Sequence, residues 1–282
     1  MRTRLYYRAK KTAINILIHA FLISVAVTCL FPLLWMVSSS LKTQQTIFKD
    51  MSFIPHGFHF ENYYLAWQQG GFGRYFLNSI FYTVSVVSGI VIVASLAAYA
   101  FSRLRFPGKN VLFFIFMAAM MIPVPGSFVP LYVLLNKLHL RDTAFGYILC
   151  MINVGLSMSI FLLKTFFDKL PRELEDAARI DGSSKFGVWW HVAMPLARPV
   201  LAVVVVFNAL NVWNEYVLAM IIFDTKSLMP LQRALMVFQG EFLTNYPLLM
   251  AGLTITALPI ILVYMLMQKY IVKGISSGAV LS

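Results

Sequence analysis

Apolar residues fall in long unbroken runs along this chain, not at the spacing of a one-faced helix. Thr12 to Leu41 carries no formal charge, and neither do Asn78 to Ser102, Val111 to Asn136, Thr143 to Leu163 or Tyr246 to Gln268. Pro199 to Phe223 carries one, Glu215. About 20 apolar residues cross the hydrocarbon core of a bilayer as a helix. The pattern therefore predicts six transmembrane helices, near 12–37, 76–102, 111–134, 143–165, 199–223 and 246–270. Buried helices of a soluble bundle would show polar stripes at the helical period, and these runs are apolar on most faces. The expected fold class is an all-α membrane protein, with residues 1–282 forming a single membrane domain and no soluble catalytic domain. The first run has a basic start, as a secretory signal does. Its apolar part is far longer than a signal's, and no small-x-small site follows, so it reads as a retained span.

Composition agrees with this pattern. The chain is 60% hydrophobic and 12% charged, against about 25% charged for a soluble domain. Its formal charge of +12 would suit nucleic acid, but the positions of the basic residues argue otherwise. With the N-terminus in the cytoplasm, the inside segments are 1–11, 102–110, 164–198 and 269–282. They hold 16 of the 23 Lys and Arg residues. That asymmetry is the positive-inside bias; it predicts both termini in the cytoplasm and no nucleic-acid partner. Cys29 and Cys150 fall inside predicted spans and read as packed thiols.

Two spans carry features that apolarity alone does not explain. "MIPVPGSFVP" places Pro123, Pro125, Gly126 and Pro130 in the third. Proline removes a backbone donor and disfavours a straight helix, and freed carbonyls in a membrane need protein or a water-filled cavity. Either the broken helix lines a path, or the helix ends near Met121 and an ordered outside loop containing a short helix follows. The fifth span contains Asn208, Asn211, Trp213, Asn214 and Glu215. Asn208, Asn211 and Glu215 fall at i, i+3 and i+7 on one helix face. A charge at bilayer centre costs about 2.5–3.5 kcal/mol, so Glu215 is expected to face protein or water. The stripe serves either as a polar pathway lining or gate, or as interhelical hydrogen bonding.

Between spans four and five, the segment 166–198 keeps a charged island, "RELEDAARIDGSSKFGVWWHVAMP". Pro171 suits a first helical position, and Glu173, Glu175 and Asp176 suit the positive end of the helix dipole. Leu174, Ala177 and Ala178 share a face. Gly182 fits a C-terminal cap, and Ser183 or Ser184 can cap a second helix through Phe186, Val188, Trp189 and Trp190. Two tryptophans bury about 150–250 Å² each, roughly 4–6 kcal/mol each as an upper bound at about 25 cal/mol/Å². They call for a docking partner or a headgroup interface. A short helix with an apolar face is a standard insert for a groove on another protein.

"DAARIDG", then nine residues, then "VAMP" resembles the EAA motif, E-A-A-x3-G-x9-I-x-L-P, of ABC importer permeases. The match lands on Asp176, Ala177, Ala178, Gly182, Val192, Met194 and Pro195, with Asp176, Val192 and Met194 as conservative departures. "FENYYLAW", "RLRFPGKN", "MIPVPGSFVPLYVLLNKLHLRDT", "WNEY" and the closing "GAV" resemble the maltose-permease-like carbohydrate importers, over nearly the whole chain from Phe48. The resemblance implies cytoplasmic coupling helices between spans four and five. Glu173, Asp176, Ala177, Ala178, Asp181, Gly182, Met194 and Pro195 would seat in a cytoplasmic ATPase. It also implies a second homologous permease subunit, two ATPase subunits carrying ATP and Mg, an extracytoplasmic solute-binding protein and a sugar cargo. The setting would be a bacterial or archaeal cytoplasmic membrane.

One expectation is independent of the resemblance. A phosphate-cradling loop needs G-x-x-x-x-G-K-[S/T]. The only Gly-Lys pair is Gly108-Lys109, followed by Asn110, with Arg103 where the first glycine should stand. This chain is thus expected not to be a conventional P-loop ATPase, with its energy drawn from another chain or an ion gradient. No nucleophile–base constellation appears either, so it is expected to catalyse nothing and to bind no cofactor. The rival to the importer is an ion-coupled secondary transporter using Glu215. His56, His59 and Glu61 form an H-x-x-H-x-E string that reads as solvated loop, not as a metal site.

Overall fold

The computed structural model describes the backbone of residues 2–50, 52–121, 124–240 and 244–279, and the side chains of 11–50, 52–121, 126–240 and 244–268. Among these residues the chain is helical, with one isolated bridge between Gln239 and Thr244 and no named strand. It divides into two units, Met1–Gly70 with Leu235–Ile255 and Gly71–Ala234 with Thr256–Ser282.

The first unit opens on α1 (Arg2–Ser40). Its described side chains from Lys11 to Leu34 are exposed, among them Ile16, Leu17, Phe21 and Ile23. So much continuous exposed apolar surface suits lipid, not water. The long segment after α1 is ordered by a buried cation. Lys42 Nζ donates to the carbonyls of Asp50 and Ser52, the latter at 2.8 Å, and lies 4.9 Å over the Trp35 ring. Asn62, on α2 (Glu61–Gln69), donates to the carbonyls of Ser40 and Lys42 at 2.8 and 2.9 Å. Gln44 ties the loop to the start of the last helix. It donates to the Thr244 carbonyl and accepts from the Tyr246 N–H.

The second unit is built on α3 (Phe72–Arg103) and α6 (Ala144–Lys169). They run parallel: Tyr82 meets Tyr147 near their starts, with ring centroids 4.8 Å apart, and Tyr99 meets Phe167 near their ends at 5.9 Å. Between them the chain returns through α4 (Lys109–Ala119) and α5 (Phe128–Lys137). After α6 come α7 (Arg172–Ile180) and α8 (Lys185–Leu196). Then follow α9 (Arg198–Asn214) and α10 (Val217–Ile222), and, after short turns that include a four-residue helix at Gln232–Leu235, α11 (Tyr246–Ala279), whose first residues belong to the first unit. α9 bends 79° from α8. The core of this unit gathers Tyr82, Val86, Ile90, Tyr147, Ile160, Leu163, Phe167 and Phe223.

Among the described residues, four helical stretches are long and apolar enough to cross a membrane: Lys11–Ser40, Phe72–Arg103, Ala144–Lys169 and Tyr246–Gln268. The bent pair α8–α9 makes a fifth if counted as one. Two expected spans are not continuous helices. The third stops at Ala119, resumes as a 3₁₀ turn at Val124–Ser127 and becomes α5 at Phe128, so its halves have 11 and 10 residues. Pro123 lies outside the described residues, as does Val280 of the closing "GAV". The fifth stops at Asn214. Glu215 and Tyr216 are non-helical, and a 6-residue helix follows.

Candidate functional site

The charged island folds as its local signals direct. α7 begins at Arg172, with Pro171 in the preceding cap position, one residue earlier than Pro was expected within the helix. At the other end Gly182 takes a φ of +85°. The Ser183 N–H reaches the Ala178 carbonyl at 2.9 Å, and the Gly182 N–H reaches that of Arg179 at 3.0 Å. That pair of bonds is the Schellman closure, and its left-handed residue favours glycine. Of the two candidate serines, Ser184 caps α8, its Oγ accepting from the Gly187 N–H at 3.1 Å.

Burial sorts the island's residues. Glu173, Leu174, Asp176, Ala177, Asp181 and Gly182 are exposed, and Ile180 is 87% exposed. Ala178 does not share their exposure; it packs against the core, as do Val192 and Met194. The expected face of Leu174, Ala177 and Ala178 is thus split, because α7 lies with one side against its own chain. The tryptophans split too. Trp189 is 3% exposed, with Phe186 5.0 Å and Trp190 5.5 Å from it by ring centroids. Trp190 is 54% exposed. It lines a cleft of about 410 Å³ with His191, Met194, Pro195, Arg198 and Leu201. Only one indole of the pair therefore waits for a partner or a headgroup.

The residue of α7 that faces inward is Glu175, 6% exposed. Its Oε1 lies 2.7 Å from Arg103 Nε at the end of α3, and Tyr99 donates its hydroxyl to Oε2 at 3.2 Å. Arg103 also donates through Nη2 to the carbonyl of Leu170, just past α6, at 2.6 Å. Sequence reasoning places Glu175 only in the helix's first turns and gives Arg103 no role. Nothing local marks the pair, because α4, α5 and α6 intervene.

The polar stripe of the fifth span separates in the same way. Asn208 is buried and satisfied: its Nδ2 donates to Ser159 Oγ at 2.9 Å and to the Val204 carbonyl at 2.8 Å. Ser159 passes its own proton to the Gly155 carbonyl at 2.7 Å. Trp213 is buried as well, donating through Nε1 to the Thr256 carbonyl at 3.1 Å, with Phe76 edge-on at 5.7 Å. Asn211, Asn214 and Glu215 instead line a cleft of about 410 Å³ with Met151, Val154, Leu210 and Leu218. A second cleft of about 510 Å³ shares Val154 and Leu218. It adds Asn153 and Ser157 of α6, two polar residues that the reading of span four passed over. Glu215 also has a local task. Its Oε1 accepts the Leu218 N–H, so it caps the helix restarted at Val217. A carboxylate three residues before an orphan N–H satisfies it at the start of the new helix.

Among the described residues no group of three or more His, Cys, Asp and Glu could hold a metal. His59 instead pairs with Glu61 at 2.7 Å, and His56 with Asp50 at 3.1 Å. The His59 contact lowers the Glu61 carboxyl below its ordinary value.

Residues 89–277 match the family described as binding-protein-dependent transport system inner membrane component. A probable ABC transporter permease of Bacillus subtilis, YurM, is 36% identical over 96% of this chain and 88% of its own length. NgcG, the permease of a diacetylchitobiose uptake system of Streptomyces coelicolor, is 32% identical over 92% and 87%. The crystal structure of a bacterial ABC transporter involved in importing the acidic polysaccharide alginate contains a chain of the same fold. It aligns with a TM-score of 0.80 and 27% identity over 90% of this chain and 95% of that one. On these matches the chain belongs to the inner-membrane components of binding-protein-dependent transport systems and is an ABC-transporter permease.

Proposed function

We propose that this chain forms half of the translocation pathway of an ATP-driven, binding-protein-dependent sugar importer in a bacterial or archaeal cytoplasmic membrane. It crosses six times, with α4 to α5 and α9 to α10 as interrupted crossings and both termini inside. A second permease subunit supplies the other half of the path. Two ATPase subunits carry ATP and Mg, and this chain holds no cofactor. A solute-binding protein delivers a sugar from outside. Several relatives are named for glycan cargo, including diacetylchitobiose and arabino-oligosaccharides. The cargo class is taken from them.

The observation that carries the reading is the two-sidedness of α7. Leu174, Ala177 and Ile180 are exposed on a nine-residue helix whose other side is fixed to the helix bundle through Glu175. Exposed apolar side chains on a helix anchored from behind suit a groove on a partner. Two parallel helices, α3 and α6, end beside α7, and the basic residues Arg103, Lys164, Lys169 and Arg172 cluster there. That clustering supports the cytoplasmic assignment. The neighbouring clefts with Asn153, Ser157, Asn211, Asn214 and Glu215 supply donors and acceptors of the kind that sugar hydroxyls need. Asn208 and Trp213, with partners of their own, hold the helices that shape the path.

The test uses the assembled complex in proteoliposomes, offered neutral oligosaccharides that include diacetylchitobiose. Ala177→Lys, on the exposed face, is expected to insert and fold but to lose ATP-driven uptake. Full uptake by that variant, or purification of the wild-type permease pair without any ATPase, defeats the docking role. Ala178→Lys is a poorer probe, because Ala178 packs against the core.

A further inference from the structure

A nine-residue helix that receives force must be tied to something stiffer than its own linker. α7 joins α6 through Leu170 and Pro171 alone, and it ends in the Gly182 turn. What fixes it is the buried group around Glu175. The Arg103 and Glu175 side chains are 5% and 7% exposed and meet at 2.7 Å. Tyr99, one turn before Arg103, adds a hydroxyl to the second carboxylate oxygen, and Arg103 Nη2 holds the Leu170 carbonyl. Arg179 lies 4.0 Å from that oxygen and stays half-exposed. Behind them α3 and α6 are locked to each other, with Ser102 donating to Asp168 at 2.6 Å and Tyr99 edge-on to Phe167.

Stability alone does not call for charges here. Replacing a buried ion pair by apolar residues of similar size is often neutral or stabilising. What a buried guanidinium adds is a second attachment. Its charge holds the α7 carboxylate at 2.7 Å as an ion pair, while its Nη2 donates to the Leu170 carbonyl at the end of α6.

We propose that Arg103 and Glu175 are positioning residues of the transport cycle. They clamp α7 to the ends of α3 and α6, so that a displacement applied to its exposed face moves those helices and is not absorbed in the linker. The inference rests on the reading of α7 as the element that docks the ATPase, and it adds the route by which the force enters the membrane.

The experiment measures the α7-to-α3 distance in the assembled complex. Spin labels replace Arg172 and Leu96, both exposed, with Cys29 and Cys150 changed to serine. Distance distributions are recorded without nucleotide and with Mg-ATP and vanadate. In the wild type the distribution is expected to stay unchanged between the two states. In Glu175→Gln it is expected to shift and broaden on trapping, with ATP hydrolysis retained and uptake per ATP reduced. A second variant, Arg103→Met with Glu175→Met, keeps the site packed without the ion pair. It is expected to match the wild type in thermal unfolding yet show the same loosened distance. An unchanged distance in both variants overturns the clamp and makes the pair mere packing. If instead no ATPase co-purifies with the wild type, the docking reading itself fails, and the clamp with it.

Discussion

Glu175 and Asp224 each pair with an arginine at the end of one long helix or just before another, yet the two pairs differ in what surrounds them. Arg103 and Glu175 sit where α3 and α6 end and are almost wholly buried. Arg141 and Asp224 sit near the start of α6, with side chains 28% and 63% exposed. The first pair is closed in by Tyr99 and the Leu170 carbonyl. The second is one arm of an open clasp, in which Asp142 accepts the N–H groups of Asp224 and Thr225 at 3.0 and 2.9 Å and Thr225 Oγ1 at 2.7 Å. Arg141 also lies 4.6 Å over the Tyr132 ring. The same charges thus do different work. Water can replace the lost partner at Asp224 but not at Glu175.

The sharpest way to break that contrast is to delete one carboxylate from each pair. Glu175→Ala leaves Arg103 as a buried unpaired cation and is expected to cost about 3–5 kcal/mol. Asp224→Ala is expected to cost about 0–1 kcal/mol. Thermal unfolding of each variant in lipid nanodiscs measures both, and equal losses would mean that burial does not set the difference. A buried contact without charge extends the rule. A Cβ added at Gly155 would run into Asn208 Oδ1 and Ile90 Cδ1, where α6 meets α9 and α3. Gly155→Ala is expected to cost about 1–3 kcal/mol through overpacking. Gly187→Ala, half-buried in α8 with its closest neighbour Ser184 Oγ at 3.4 Å, serves as the uncrowded control and is expected to change little in the same measurement.

The buried side of this comparison is also the side that the sequence hides. Uncharged runs mark most helices well, since a span must satisfy its backbone within itself. Pro171, Gly182 and Ser184 mark the ends of the island's helices because capping is local. The interruptions at Met120 and Glu215 are harder to read. An apolar run is the same string whether its helix continues or stops, and the Glu215 bond to the Leu218 N–H, though as local as that of Ser184 to Gly187, sits in a run that reads as one continuous span. Helical spacing placed Asn208 with Asn211 and Glu215, but periodicity gives direction and not what stands opposite. Ser159 and Gly155 stand opposite Asn208, and a cleft stands opposite the other two. Arg103 and Glu175 lie furthest from reach, being brought together by the packing of α3 on α6.

The exposed clasp offers the smallest effect and a pH test of it. Asp142 holds its carboxyl below the ordinary value of 3.8, chiefly because the Thr225 N–H and hydroxyl, and then the Asp224 N–H, bond the charged form. A depressed carboxylate contributes stability that is present above its unfolded pKa and lost as pH falls through the folded value. Little should therefore change from neutral pH down to about 4. Below that, protonation removes the acceptor, and the bonds to Asp224 and Thr225 loosen first. Hydrogen exchange at those two amides, corrected for the intrinsic rate, should show protection falling only in that acid range. Asp142→Asn keeps one acceptor oxygen but no charge, so its protection should be lower at neutral pH and flat with acid. The positive φ of 55° at Asp142 is tolerated by asparagine too, so the variant tests charge without straining the turn. An acid-dependent loss that persists in Asp142→Asn would mean that the Asp142 carboxylate is not what holds the clasp.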